Sequence, residues 1–140
     1  MSGFVGGCHC GAIRYTCSAD PYQARYCQCS DCRRLSGSGH ASLLYIRDAG
    51  AVLRVTGAPR SYDTHADSGN VLTRHFCGTC GSPLYITNSG VPGMVIFHAG
   101  SLDDPSLFKP THAIFTASAP AWDVLDPALE RFPRRKPRPQ

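Results

Sequence analysis

The sequence predicts an all-β fold of packed, twisted sheets. Three observations carry this: apolar or β-prone residues alternate in short runs, turn signals separate the runs, and no window sustains the period of an ordinary helix. The first run covers residues 13–17, and 42–46 and 52–55 follow. Asp67-Ser68-Gly69-Asn70 is a turn leading into 71–76, and Asn88-Ser89-Gly90 separates 84–87 from 94–98. A last run occupies 112–116. One short helix is expected, with Ser30 as N-cap, residues 31–35 as its body and Ser36-Gly37 as its stop. Cys32 then lies in the first turn, where free backbone N–H groups and the helix dipole favour a thiolate.

At 140 residues, 42% hydrophobic and 17% charged, the chain has the size and composition of one globular domain. That domain is placed at 1–130. Residues 131–140 are read as a disordered tail, because proline and like charges there oppose packing. The tail holds part of the net charge of +4, so the folded part is close to neutral. Residues 1–7 lack the pattern of a signal peptide and no segment reaches membrane-spanning length, so a cytoplasmic protein without membrane contact is expected. In a reducing compartment, clustered cysteines are metal ligands before they are disulfides, and this chain has eight cysteines. Metal staples also suit a core of this modest size.

Seven cysteines fall into three motifs: Cys8-His9-Cys10, Cys27-Gln28-Cys29-Ser30-Asp31-Cys32, and Cys77-Gly78-Thr79-Cys80-Gly81. Residues two apart on a strand point the same way, so Cys8 and Cys10 can reach one ion. Cys77 and Cys80 have zinc-knuckle spacing, and the two pairs together make a complete tetrahedral Zn²⁺ set that cross-links distant parts of the chain. Four buried unligated cysteines, or an iron–sulfur ligand set, are the alternatives. Cys27, Cys29 and Cys32 have no fourth cysteine at comparable spacing. Three protein ligands leave a position for water or substrate, the pattern of a catalytic zinc site. The alternative is a closed site completed by His9, His40, His75 or His98.

Three thiolates make zinc a weaker Lewis acid than three imidazoles do, and soft sulfur ligands suit a thiol substrate held as its thiolate. Arg25, Arg33 and Arg34 flank the motif, as holders of substrate carboxylates or as solvent-facing charges. Cys17 reads as a small buried hydrophobe, with a reactive thiol as the alternative. Trp122, the only tryptophan, reads as a core plug, with a pocket wall as the alternative. His112 reads as a satisfied strand residue.

The motifs recur in a recognisable order: Gly6-Gly7-Cys8-His9-Cys10-Gly11, then Cys27-Gln28-Cys29-Ser30-Asp31-Cys32-Arg33-Arg34-Leu35-Ser36-Gly37, then Phe76-Cys77-Gly78-Thr79-Cys80-Gly81-Ser82-Pro83. This order resembles the glutathione-dependent formaldehyde-activating enzyme family, and the resemblance continues through residues 99–104 and 110–115 to Trp122. It implies a β-tent fold of packed antiparallel sheets stapled by zinc. It further implies a structural zinc at Cys8, Cys10, Cys77 and Cys80 and a catalytic zinc at Cys27, Cys29 and Cys32, the partition the spacing gives. Similar sequences often carry histidine where this chain has Gln28.

The activity implied is that of a carbon–sulfur lyase joining formaldehyde, or a related carbonyl, to glutathione as S-hydroxymethylglutathione. The expected partner is therefore glutathione or a glutathione adduct. One scaffold hosts several reactions, so another thiol adduct is a second reading. A non-catalytic zinc module is a third, because the family includes centromere protein V; the three further thiols at Cys27, Cys29 and Cys32 argue against it. Nucleic-acid binding has little support, since basic residues do not interleave with aromatics in the folded part.

Overall fold

The computed structural model describes residues 3–137. Strands dominate, as the sequence predicts. In chain order they are β1 (Phe4–Gly7), β2 (Arg14–Cys17), β3 (Gln23–Cys27), β4 (Ala41–Ile46), β5 (Leu53–Thr56), β6 (Arg60–His65), β7 (Val71–Phe76), β8 (Pro83–Asn88), β9 (Val95–His98), β10 (His112–Ile114) and β11 (Glu130–Arg131). Two short helices accompany them, α1 (Ser30–Ser36) and α2 (Ala49–Val52). No helix among the described residues is long and apolar enough to cross a membrane. Contacts divide the chain into two compact units. One is built from the chain up to Gln23 with Leu44–Phe108, the other from Ala24–Leu43 with the chain from Lys109 onward.

In the first unit β1, β2 and β5 form an antiparallel sheet, with Tyr15 opposite both Gly6 and Val55. Strands β6 to β9 form an antiparallel meander in which Arg74 faces Tyr62 and Ile86, and Ile86 faces Ile96. Strand periodicity sends Tyr15 and Cys17 of β2 inward and Arg14 and Thr16 outward. The core is aromatic: Phe4, Tyr15, Tyr85 and Phe97 meet in edge or tilted contacts, with centroids 4.8 to 6.2 Å apart. Phe97 is completely buried, and burial of such a ring stabilises by about 3 kcal/mol. The buried Tyr15 hydroxyl donates to Ser101 Oγ at 2.6 Å, whose own proton goes to the His98 carbonyl at 2.7 Å. No desolvation cost is left uncompensated there. A register shift between His75 and Phe76 breaks the β7–β8 ladder immediately before Cys77. Such an irregularity bends the strand end and starts the turn that carries Cys77 and Cys80.

In the second unit β10 runs parallel to both neighbours, with His112 beside Arg25 of β3 and Glu130 of β11. These parallel pairs stand beside the antiparallel ones that the family resemblance implies. Residues 131–134, read from sequence as part of an unpacked tail, are in place instead. Arg131 pairs with Ala113, the Phe132 N–H donates to the Ala113 carbonyl at 3.0 Å, and the Phe115 N–H donates to the Arg134 carbonyl at 2.9 Å. Backbone pairing does not depend on side-chain charge, so an Arg- and Pro-rich segment can still close a sheet edge. Residues 138–140 lie outside the described residues.

The helix falls where the sequence puts it, with one correction. Its N-cap is Cys29 rather than Ser30: the Cys29 sulfur accepts the Cys32 N–H at 3.2 Å. Gly37 ends it in the left-handed region, at φ 72°. The single turn α2 carries no sequence signal.

Candidate metal centres

The first cluster lies wholly in the first unit. Cys8 and Cys10 do not extend a strand as their spacing suggests; they sit in the turn that follows β1. The Cys8 N–H donates to the Ile13 carbonyl at 3.0 Å and the Gly11 N–H to the Cys8 carbonyl at 3.3 Å, closing that turn so that both sulfurs still converge. The second turn, after β7, is closed by the Cys77 N–H to the Ser82 carbonyl at 3.0 Å and the Gly81 N–H to the Cys77 carbonyl at 2.8 Å. Gly81 sits at φ 79°, a conformation that glycine adopts without steric cost. The four Sγ atoms of Cys8, Cys10, Cys77 and Cys80 all lie within 4.8 Å of one another and could hold a metal ion.

The spacing within this cluster suits a tetrahedral centre. Cys8 and Cys10 Sγ are 3.6 Å apart, and Cys10 and Cys77 Sγ 3.8 Å apart. A tetrahedron with bonds of about 2.3 Å has ligand–ligand edges of roughly 3.8 Å. Backbone N–H groups point at the sulfurs: Ile13 to Cys8 at 3.3 Å, Thr79 to Cys77 at 3.4 Å and Cys80 to Cys77 at 3.5 Å. At Cys8, burial alone would raise the thiol, but the Ile13 N–H and the neighbouring Cys10 and Cys77 thiols hold it below its ordinary range. The Cys80 thiol is pulled down to about 5, first by the Ser82 hydroxyl 3.2 Å away.

The second cluster belongs to the second unit. Cys27 ends β3, Cys29 caps α1 and Cys32 lies in its first turn, and their sulfurs also fall within 4.8 Å of one another. Cys27 and Cys32 are buried and Cys29 is half-exposed. The intervening peptide is pinned by the Gln28 N–H, which donates to the Ile114 carbonyl at 3.0 Å. Without a cation the three thiols share their protons unequally. Hydrogen bonds from Cys27 and then Cys32 hold the Cys29 thiol far below its ordinary range. The counterpart bond to Cys29 pushes Cys27 up to about 11, and Cys32 is raised by its bonds to Cys27 and Cys29. One sulfur therefore ionises easily, and full ionisation calls for a positive charge among the three. This donor set fits a metal ion.

No histidine, aspartate or glutamate joins the three sulfurs at ligand spacing among the described residues. Of the histidines considered as a fourth ligand, His75 stacks on Tyr85 at 4.4 Å. Burial and the nearby Arg74 charge bring His98 down to about 4, and His40 pairs with Asp123. Arg33 and Arg34 occupy the last turn of α1, and Arg25 lies in β3 beside His112. Cys17 is buried, its Sγ 3.5 Å from the Ala19 carbonyl, as a small hydrophobe would be. Trp122 is not a core plug: it is 69% exposed. Its neighbour Asp123 makes the polar contacts instead, to His40 and Gln28. The pairing of Asp123 with His40 and Gln28 has no sequence signal, because its members are 83 and 95 residues apart.

This is a mostly β chain in which seven cysteines gather into one four-sulfur and one three-sulfur cluster that could each hold a metal ion, the second without a fourth ligand among the described residues. Residues 3–118 match the family described as glutathione-dependent formaldehyde-activating enzyme, and this chain belongs to that family. A curated relative from Halomonas elongata, provisionally named a glutathione-dependent formaldehyde-activating enzyme, is 33% identical over 102 residues. That match covers 70% of this chain and 64% of the relative, so the chain spans less than two thirds of the relative's length. The crystal structure of a Rhodobacter sphaeroides protein is similar at a TM-score of 0.55 and 27% identity, over 71% of this chain and 87% of that one.

Proposed function

We propose that this protein is a zinc-dependent carbon–sulfur lyase that condenses formaldehyde with glutathione to S-hydroxymethylglutathione. The observation that carries the reading is the three-sulfur cluster of Cys27, Cys29 and Cys32, which has no fourth protein ligand at comparable distance among the described residues. Cys8, Cys10, Cys77 and Cys80 would hold a structural zinc, and Cys27, Cys29 and Cys32 a catalytic one. Bound there, zinc would supply a thiophilic position that lowers a thiol's pKa and a positive charge for a developing alkoxide.

The chain's own contribution is placement. The Cys29 cap and the Gln28–Ile114 hydrogen bond fix the sulfurs before substrate arrives, so little reorganisation accompanies the reaction. The addition itself is redox-neutral. The glutathione sulfur bonds to the carbonyl carbon, the carbonyl π pair moves to oxygen, and the thiol proton ends on that oxygen.

Exchange NMR on formaldehyde and glutathione at equilibrium tests this. Zinc-loaded protein is expected to raise the interconversion rate above the protein-free control. No acceleration by fully loaded protein would overturn the formaldehyde reading and direct attention to other thiol adducts.

A further inference from the structure

The addition moves one proton from sulfur to oxygen, and a residue that carries it must reach substrate with a basic atom. The unit holding Cys27, Cys29 and Cys32 contains two histidines, His40 and His112. His112 is 2% exposed, with Nδ1 2.8 Å from Thr111 Oγ1, its ring edge against Phe132 and its Nε2 sealed from solvent. It has no route to a substrate. The His40 side chain keeps 21% of its surface exposed, and its Nδ1 lies 2.9 and 3.0 Å from the two carboxylate oxygens of Asp123, itself 9% exposed. A carboxylate only accepts, so Nδ1 carries the proton of the neutral ring and Nε2 is left as the basic nitrogen. Among the described residues, Nε2 has no protein partner.

Asp123 is aimed as deliberately as His40. Gln28, 3% exposed, donates its amide to Asp123 Oδ2 at 2.9 Å. Gly39 backs the carboxylate so closely that a Cβ there would stand 2.3 Å from Asp123 Cγ. Tyr26 meets the imidazole edge-on at 4.8 Å, and Ser36 Oγ donates to the His40 carbonyl at 2.9 Å. The carboxylate thus ties an oriented imidazole to the residue lying between two of the three cluster cysteines. No imidazole nitrogen joins the sulfurs at ligand spacing, so His40 is set apart from the metal ligands.

We propose that His40 is the proton carrier of the addition and that Asp123 and Gln28 are its positioning residues. Nε2 takes the thiol proton as the carbon–sulfur bond forms and delivers it to the former carbonyl oxygen; the reverse reaction retraces the path. The inference rests on the formaldehyde–glutathione reading. The step uses no oxidant, reductant or further reactant.

The test is the same exchange measurement on zinc-loaded wild type, His40→Ala and His40→Gln, each with and without free imidazole, with metal content determined alongside. The glutamine amide retains a donor for Asp123 but offers no basic nitrogen, so this variant separates a structural role from a chemical one. Both variants are expected to keep their metal and lose roughly 10²- to 10⁴-fold in rate at saturating substrate. Imidazole should restore part of the rate to His40→Ala and none to His40→Gln. A wild-type rate in either variant, or a metal-loaded His40→Ala that imidazole does not revive, overturns the proposal. A wild type that does not accelerate exchange is a separate outcome, overturning the reaction and the proton role together.

Discussion

Replacing Cys77 with serine is expected to lower the melting temperature of the metal-loaded protein by roughly 10–20 °C. Cys77 is 2% exposed, its sulfur lies 3.8 Å from that of Cys10, 67 residues away in sequence, and it accepts two backbone N–H groups. With an ion bound, the four-sulfur cluster would cross-link the turn after β1 to the turn after β7. Ion binding at structural thiolate sites is folding free energy, on the order of 10 kcal/mol. Total stabilities are only about 5–15 kcal/mol, so losing about 4 kcal/mol removes much of what holds the protein folded. Serine is nearly isosteric, yet its neutral hydroxyl does not replace a soft thiolate. Thermal melts followed by circular dichroism, with metal content determined in parallel, check the prediction. Unchanged melting with the ion still bound would mean that the cluster carries no structural load.

The second large effect has the opposite signature. Cys29→Ser should cost at least about 10²-fold in exchange rate while leaving the melting temperature within a few degrees of wild type. Cys29 has two separable jobs. Its sulfur belongs to the three-cysteine cluster, and it also caps α1 by accepting the Cys32 N–H at 3.2 Å. Serine is among the best N-cap residues, so the helix start survives while one thiolate is lost. Metal analysis of the variant should show one ion fewer per chain. A variant that keeps its full metal complement and rate would remove Cys29 from the site.

The parts of this protein legible from sequence are those set by short-range geometry. Spacings such as Cys8–Cys10, Cys77–Cys80 and Cys27–Cys29–Cys32 mark the sulfurs that converge, although Cys8 and Cys10 do so in a turn rather than along a strand. The runs that became β2, β4, β5, β8, β9 and β10 are visible because their burial follows the strand period or is largely continuous, and β7 because β-prone residues follow a turn signal there. Strand β6, exposed at five of its six positions, and β3, half-buried at four of five, present no apolar rhythm. They are strands because neighbours supply hydrogen-bond partners, which is a tertiary fact. The same applies to residues 131–134, where charge and proline argued for a tail and backbone pairing prevailed. Trp122 and Asp123 show the limit most plainly. Hydrophobicity points to the indole as the inward group, but a carboxylate with an imidazole and an amide to satisfy takes that role.

One closed and one open thiolate centre in a single chain should be distinguishable by metal stoichiometry during stepwise chelation. Protein purified without chelator should contain two zinc ions per chain by elemental analysis. One should leave at low chelator concentration with the far-ultraviolet circular dichroism unchanged, and the other only as the fold is lost. A single ion per chain, or two that leave together as the protein unfolds, would contradict it.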